Sequence, residues 1–186
     1  MRLTPIPPPE LSEEQRPCYD DMKAVIEKHF TGFKAIREDG ALIGPWTPWL
    51  RWPQYGRPIW DLVKALSLAP TLPPAMREIA ILVTGAKFHA AYQIYAHVVG
   101  AEQRGLPDGK IATIVAGQRP PDLSRDEGIV YDLVSALVAG SVLPELTYRL
   151  VHDRFGGAAT AELIYLVGLY CLVAVTLNAY DVPLPE

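Results

Sequence analysis

The sequence predicts an all-α fold, and three observations predict it. Capping residues and acidic first turns stand ahead of apolar-rich stretches, prolines and glycines fall between those stretches, and no run alternates apolar and polar residues as a half-buried strand would. With 186 residues, 49% of them hydrophobic, the chain suits one domain over 1–186 with a substantial core, preceded within it by a Pro-rich arm at 1–11.

The elements follow in order. Ser12-Glu13-Glu14 supplies a cap and an acidic first turn for a helix running to about His29. Residues 40–53 read as a loop, because Pro45, Pro48 and Pro53 oppose a regular helix, while Trp46, Trp49 and Trp52 give it unusual apolar area. A helix from about Tyr55 to Leu68 comes next, and Pro73-Pro74 opens another, where proline is tolerated. A turn near Gly85 to Phe88 leads into a helix that ends near Gly105, a fitting C′ glycine. Pro107-Asp108 starts a short helix to about Ala116, and Gln118 to Leu123 is a connection. Ser124 caps a helix to Ala139, Pro144 begins one to Phe155, and Gly156-Gly157 separates it from a last apolar helix.

That last helix contains Leu163 to Leu177, 15 residues without a charge. A membrane span needs about 20 apolar residues, so the segment is expected to lie in a core or between subunits. The N-terminal residues lack the apolar stretch of a secretory signal, and a cytoplasmic protein is expected. A net charge of −4 with no Lys/Arg cluster argues against a nucleic-acid footprint.

Chemistry concentrates in the middle of the chain. Glu78 and His97 stand 19 positions apart, about 28 Å along an unbroken helix and too far to share a substrate. The expected turn lies midway between them, so an antiparallel hairpin sets carboxylate and imidazole abreast. His89, Gln93 and His97, spaced by four, mark one polar helical face. His89 and His97 are about 12 Å apart on such a helix, farther than two ligands of one ion, and no metal is expected. Neither a phosphate-binding Gly-x-x-x-x-Gly-Lys-Ser/Thr nor a His-Glu-x-x-His helix is present. His29 and His152 read as surface residues.

The stretches Arg77 to Gly105 and Leu163 to Pro183, the latter ending Leu-Asn-Ala-Tyr-Asp-Val-Pro, resemble the carboxymuconolactone decarboxylase family. That superfamily includes the AhpD-like alkylhydroperoxidases, and the resemblance covers roughly residues 40–183. It implies an AhpD-like helical bundle assembled as a homotrimer or a hexamer of trimers. In AhpD-like members a Glu precedes a helix with Cys-x-x-Cys and a His four residues after the second Cys; Glu78 and His97 fall on the Glu and His. Ala90 and Gln93 fall on the cysteines. Cys18 and Cys171 lie elsewhere and read as unpaired residues of a reducing compartment, so thiol peroxidase chemistry is disfavoured. The decarboxylase branch lacks the cysteines as well, and its Gln-x-x-x-His is similar to Gln93 through His97. Other relatives carry Tyr-Glu-Trp-x-x-His, of which this chain keeps Tyr92 and His97.

The resemblance implies a cofactor-free lyase acting on a small carboxylated lactone or related carbonyl acid. Loss of carbon dioxide leaves an enolate that must be protonated at carbon, a task suited to imidazole, whose ordinary pKa is about 6.5. His97 is then the general acid/base, Glu78 its orienting partner, and Gln93, with His89, Tyr92 and Trp46 around the pocket, a substrate contact. Arg77, one residue before Glu78, points to another helical face and is a poor anion clamp. Isomerisation or hydration of a carbonyl compound, or ligand binding without catalysis, fits the same residues.

Overall fold

The computed structural model describes residues 1–185, and among them eight α-helices and no strand. Only an isolated antiparallel bridge joins Ile36 to Leu42. The helices are α1 (Arg16–His29), α2 (Trp46–Arg51), α3 (Pro53–Leu68), α4 (Pro74–Phe88), α5 (Ala91–Gln103), α6 (Asp108–Val115), α7 (Arg125–Val138) and α8 (Glu145–Ala179). The fold is all-α.

Local chemistry accounts for most boundaries. Ser124 Oγ accepts from Glu127 N–H while the Glu127 carboxylate accepts from Ser124 N–H, a reciprocal cap for α7. Ser12 and Gln15 exchange the same pair of bonds, but they close a turn, and regular α1 begins only at Arg16. α5 ends with Gly105 at φ +77° and Leu106 N–H on Ala101 O at 3.1 Å. Gly156, with φ 83° and ψ 171°, breaks α8 into two helices where the sequence places a separator.

Two expectations need correction. Within residues 40–53, Trp46–Arg51 is helical, because Pro45 and Pro48 sit at its N-cap and in its first turn, where N–H groups have no intrahelical partner to lose. The reversal after α4 falls at His89 and Ala90, beyond the expected Gly85 to Phe88. Gly85 lies inside α4, and a Cβ there would come within 3.2 Å of Ile94 and 3.3 Å of Gln93. It allows α5 to approach.

α4 is the central strut, buried at every residue from Met76 to Ala86 and packed against α5, α6, α7 and α8. Ile79, Leu82, Val130, Leu133, Leu163 and Leu166 are nearly sealed from solvent, each worth about 1.5–3 kcal/mol of apolar burial. α2 packs on α3, α1 touches both, and α3 reaches α8. The Pro-rich arm is anchored: Ile6 and Leu11 are buried, and Arg2 donates to Ala179 O at the end of α8. By length and composition α8 is apolar enough to cross a membrane, and half of its most apolar window is buried inside the protein.

Candidate active site

The α4–α5 hairpin brings Glu78 and His97 into contact. His97 Nδ1 lies 2.8 Å from Glu78 Oε2, and Arg104 Nε lies 3.3 Å from Glu78 Oε1. The carboxylate accepts, so it fixes the proton on Nδ1 and leaves the Nε2 lone pair available. The Glu78 side chain is only 7% exposed, whereas His97 is 21% and Arg104 39% exposed. A buried carboxylate thus carries a partly open imidazole on one oxygen and a guanidinium on the other.

Space for that carboxylate comes from Gly100, whose added Cβ would stand 3.0 Å from Glu78 Oε2 and 3.1 Å from Oε1. Arg104 also donates from Nη1 to Gly100 O at 2.9 Å, which holds its fork against α5. Tyr170 of α8 sets its ring at right angles to the imidazole, 4.9 Å between centroids. Burial, and then the charge of Glu78, push the Tyr170 hydroxyl well above its ordinary pKa, so it stays a proton donor.

His97 forms part of two neighbouring spaces. A cleft of about 240 Å³ is bordered by Arg77, Glu78, Arg104 and Tyr170, with exposed His29 at its edge. An apolar chamber of about 70 Å³ is bordered by Trp46, Trp49, Tyr92, Gln93 and Leu169. Phe30, Phe33, Ala96, His97 and Tyr170 belong to both walls. The cleft is charge-balanced: Arg104 is paired with Glu78, and Arg77 with Glu162 of α8.

Arg77 therefore borders the cleft with its guanidinium already engaged. Glu162 also accepts from Thr71 N–H and hydroxyl and from Leu72 N–H, tying the α3–α4 connection to α8.

Gln93 is 2% exposed and pinned to α4, its Nε2 donating to Ile81 O at 3.1 Å. That bond assigns the amide orientation, so the atom without a partner is the acceptor Oε1. Gln93, expected as a substrate contact, lines the chamber with one of its two Nε2 hydrogens engaged by Ile81 O. Tyr92 belongs to the wall, its hydroxyl donating to Lys34 O at 2.8 Å, while Tyr95 accepts from Lys34 N–H at 3.0 Å. Together they clasp the segment that lays Phe30 and Phe33 over the site. Gly44, at φ +72°, lies under the Tyr92 ring with no room for a side chain. Trp46 is buried and stacks on Phe33 at 6.4 Å in the wall of the chamber.

His89 is the exception. It is the exposed C-cap of α4 at φ 51°, and α5 starts two residues later, so the four-residue spacing does not carry it onto the helical face of Gln93 and His97. It borders a separate concavity with Val83, Ala86 and Lys87.

Arg104 and Gly100 were missed, although a signal exists. Gln93, His97, Gly100 and Arg104 follow one another by four, three and four, the spacing of one helical face. Burial pushes the thiols of Cys18 and Cys171 upward, the opposite of what a nucleophilic thiol requires. Among the described residues, no group of three or more His, Cys, Asp or Glu side chains is placed to hold a metal ion. Comparison with protein-family models, curated proteins and solved structures returns no match to this chain.

Proposed function

We propose that the protein is a cofactor-free acid/base enzyme of the carboxymuconolactone decarboxylase kind, built on an AhpD-like bundle and acting on a small carbonyl acid. The observation that carries this reading is the 2.8 Å bond from His97 Nδ1 to buried Glu78, which leaves Nε2 open beside the cleft. When the carboxyl group leaves as carbon dioxide, its bonding pair enters the adjacent carbonyl system as an enolate. Imidazolium Nε2–H then protonates the carbon, and the neutral ring keeps its Nδ1–H on Glu78. Solvent restores the proton, so one proton is consumed per turnover. Glu78 stabilises the imidazolium and fixes the ring, the division of labour seen wherever a carboxylate orients a catalytic histidine. Its bond to Arg104 keeps the carboxylate from swinging into the cleft.

One feature favours a second reading, isomerisation of a carbonyl compound by the same proton carrier. Both arginines of the cleft are already paired, so no surplus cation is held for a substrate carboxylate. We place the enzyme in the cytoplasm as a homo-oligomer, a trimer or a hexamer of trimers.

Incubation with γ-carboxymuconolactone, related lactones and small keto acids, followed by carbon dioxide release and by deuterium incorporation, separates the two readings. Carbon dioxide release lost in His97→Ala supports the lyase; deuterium exchange without release supports isomerisation. A turnover that His97→Ala leaves unchanged overturns both.

A further inference from the structure

One proton donor in the wall of the cleft takes no part in the proton transfer of His97 and Glu78. Loss of carbon dioxide, or of a proton, from the carbon beside a carbonyl leaves negative charge on the carbonyl oxygen, and a donor already aimed at that oxygen lowers the barrier. The cations of the cleft are engaged elsewhere, Arg77 with Glu162 and Arg104 with Glu78 and Gly100 O. His29, Thr31 and Gln103 border the cleft from exposed positions, where water competes for them. Two half-buried hydroxyls of the wall remain, Tyr170 of α8 and Ser67 of α3.

Three properties single out Tyr170. Its ring stands at right angles to the His97 imidazole with 4.9 Å between centroids, so one small molecule can touch both. Its hydroxyl forms no hydrogen bond among the described residues, yet it is not one of the unpartnered polar atoms sealed inside the protein, so it opens on free space. The charges that act on it are those of Glu78, Arg77 and Arg104, all in the wall of the cleft, and this sets the opening on the cleft side. Burial and the Glu78 charge keep the phenol protonated, as a donor must be.

We infer that Tyr170 is a further catalytic residue: its hydroxyl donates a hydrogen bond to the substrate's carbonyl oxygen and holds the enolate while His97 protonates the carbon. The inference rests on the acid/base reading of His97. No proton leaves Tyr170. The bonding pair of the departing carboxyl group moves onto the carbonyl oxygen, imidazolium Nε2–H gives its proton to carbon, and the carbonyl double bond re-forms with the phenol O–H unchanged. An uncharged donor thus serves the enolate in a cleft that holds no surplus cation.

Tetronic acid, a five-membered lactone ionised as its enolate at neutral pH, and γ-butyrolactone, the same ring without the enolate, serve as probes, and their binding is read without any turnover. Native protein should bind tetronate the more tightly. Tyr170→Phe keeps the ring and should weaken tetronate by about tenfold or more, and γ-butyrolactone at least about threefold less, because a hydrogen bond to a charged acceptor is roughly twice as strong as a neutral one. Ser67→Ala should leave both affinities unchanged. Since the hydroxyl has no partner in the protein, Tyr170→Phe should unfold in denaturant no earlier than native protein. With a lactone or keto acid that reacts, the variant should lose about a hundredfold to a thousandfold in kcat, the effect of removing one oxyanion donor, with KM within about threefold. The inference is overturned by native protein that does not prefer tetronate, by equal weakening of the two probes, by a loss that follows Ser67→Ala instead, by an unchanged kcat, or by a variant that unfolds earlier. His97→Gln tests the reading beneath it separately. If that variant turns over at the native rate while Tyr170→Phe still discriminates against tetronate, the role of His97 falls and Tyr170 stands as the donor to the oxyanion.

Discussion

An alanine at position 100 would gain up to about 1 kcal/mol of helix propensity over glycine, yet its Cβ would press on the Glu78 carboxylate from 3.0 Å. Glu78 can give way only by loosening its bonds to His97 and Arg104, so the gain in helix stability and the loss at the site nearly cancel. Gly100→Ala should therefore keep its unfolding free energy within about 1 kcal/mol of native while losing at least about tenfold in turnover. Denaturant titration and a rate measurement on one preparation check the pair; an unchanged rate would mean that the orientation of Glu78 is irrelevant. His97→Ala should cost about a hundredfold to ten-thousandfold in kcat, whereas Gln93→Ala, which cannot remove a proton carrier, should act mainly on KM. Much of this site was legible before the structure: a carboxylate and an imidazole equidistant from one turn must meet if a hairpin forms. Arg104 and Gly100 lie on the face marked by Gln93 and His97, but a glycine reveals its purpose only once a neighbour is seen filling the space. His89 was misread because spacing assumes a continuous helix, and a residue at φ 51° has already left it.

Glu162 shows how a helix can be held by a single carboxylate, since it gathers Arg77 of α4 and the backbone of Thr71 and Leu72 onto α8. Burial alone would raise its pKa, but the hydrogen bonds from Thr71 and Leu72 and the charge of Arg77 outweigh it and hold the carboxyl below the usual value of 4.5. A group depressed in the folded state stabilises fully above its unfolded pKa. That contribution disappears as pH falls through the lower, folded value. Native protein should thus lose stability on the acid side of 4.5, and Glu162→Gln should lose less over the same range while starting about 3–5 kcal/mol weaker at neutral pH, because Arg77 is left buried without its counter-charge. Paired denaturation curves at neutral and acid pH read the difference, and parallel acid losses in the two proteins would refute it. Asp126 and Glu127, also depressed, lie at the start of α7 and contribute equally to both curves. Elements with side-chain caps or terminal glycines, such as α5 and α7, were readable from the sequence. α2 was not, since proline opposes a helix interior and permits a first turn, and only the fold decides which position it takes.

The whole chain places an apolar helix where one side remains uncovered. In α8, Leu163, Leu166, Leu169, Val173 and Leu177 are buried, while Tyr165, Leu172 and Val175 are 63%, 39% and 55% exposed. With Gly168 these exposed positions follow by three, four and three, the spacing of a seam for a second helix, and the glycine gives backbone room for close approach. The sequence reading expected this helix to be covered on all sides, in a core or between subunits; one protomer covers it on one side. A second copy completing the cover is the assembly proposed above, and it needs no contribution from the charged residues of the cleft. Light scattering at micromolar concentration should give a multiple of the 20.5 kDa chain mass, three or six. Leu172→Glu puts a charge in the middle of the stripe at a position already exposed in the protomer, so it should leave the protomer folded and lower the measured mass. If the native protein already scatters as a 20.5 kDa particle, the stripe is not a subunit contact. If Leu172→Glu keeps the native mass, the protomers meet through another face, and α8 is exposed for a different reason.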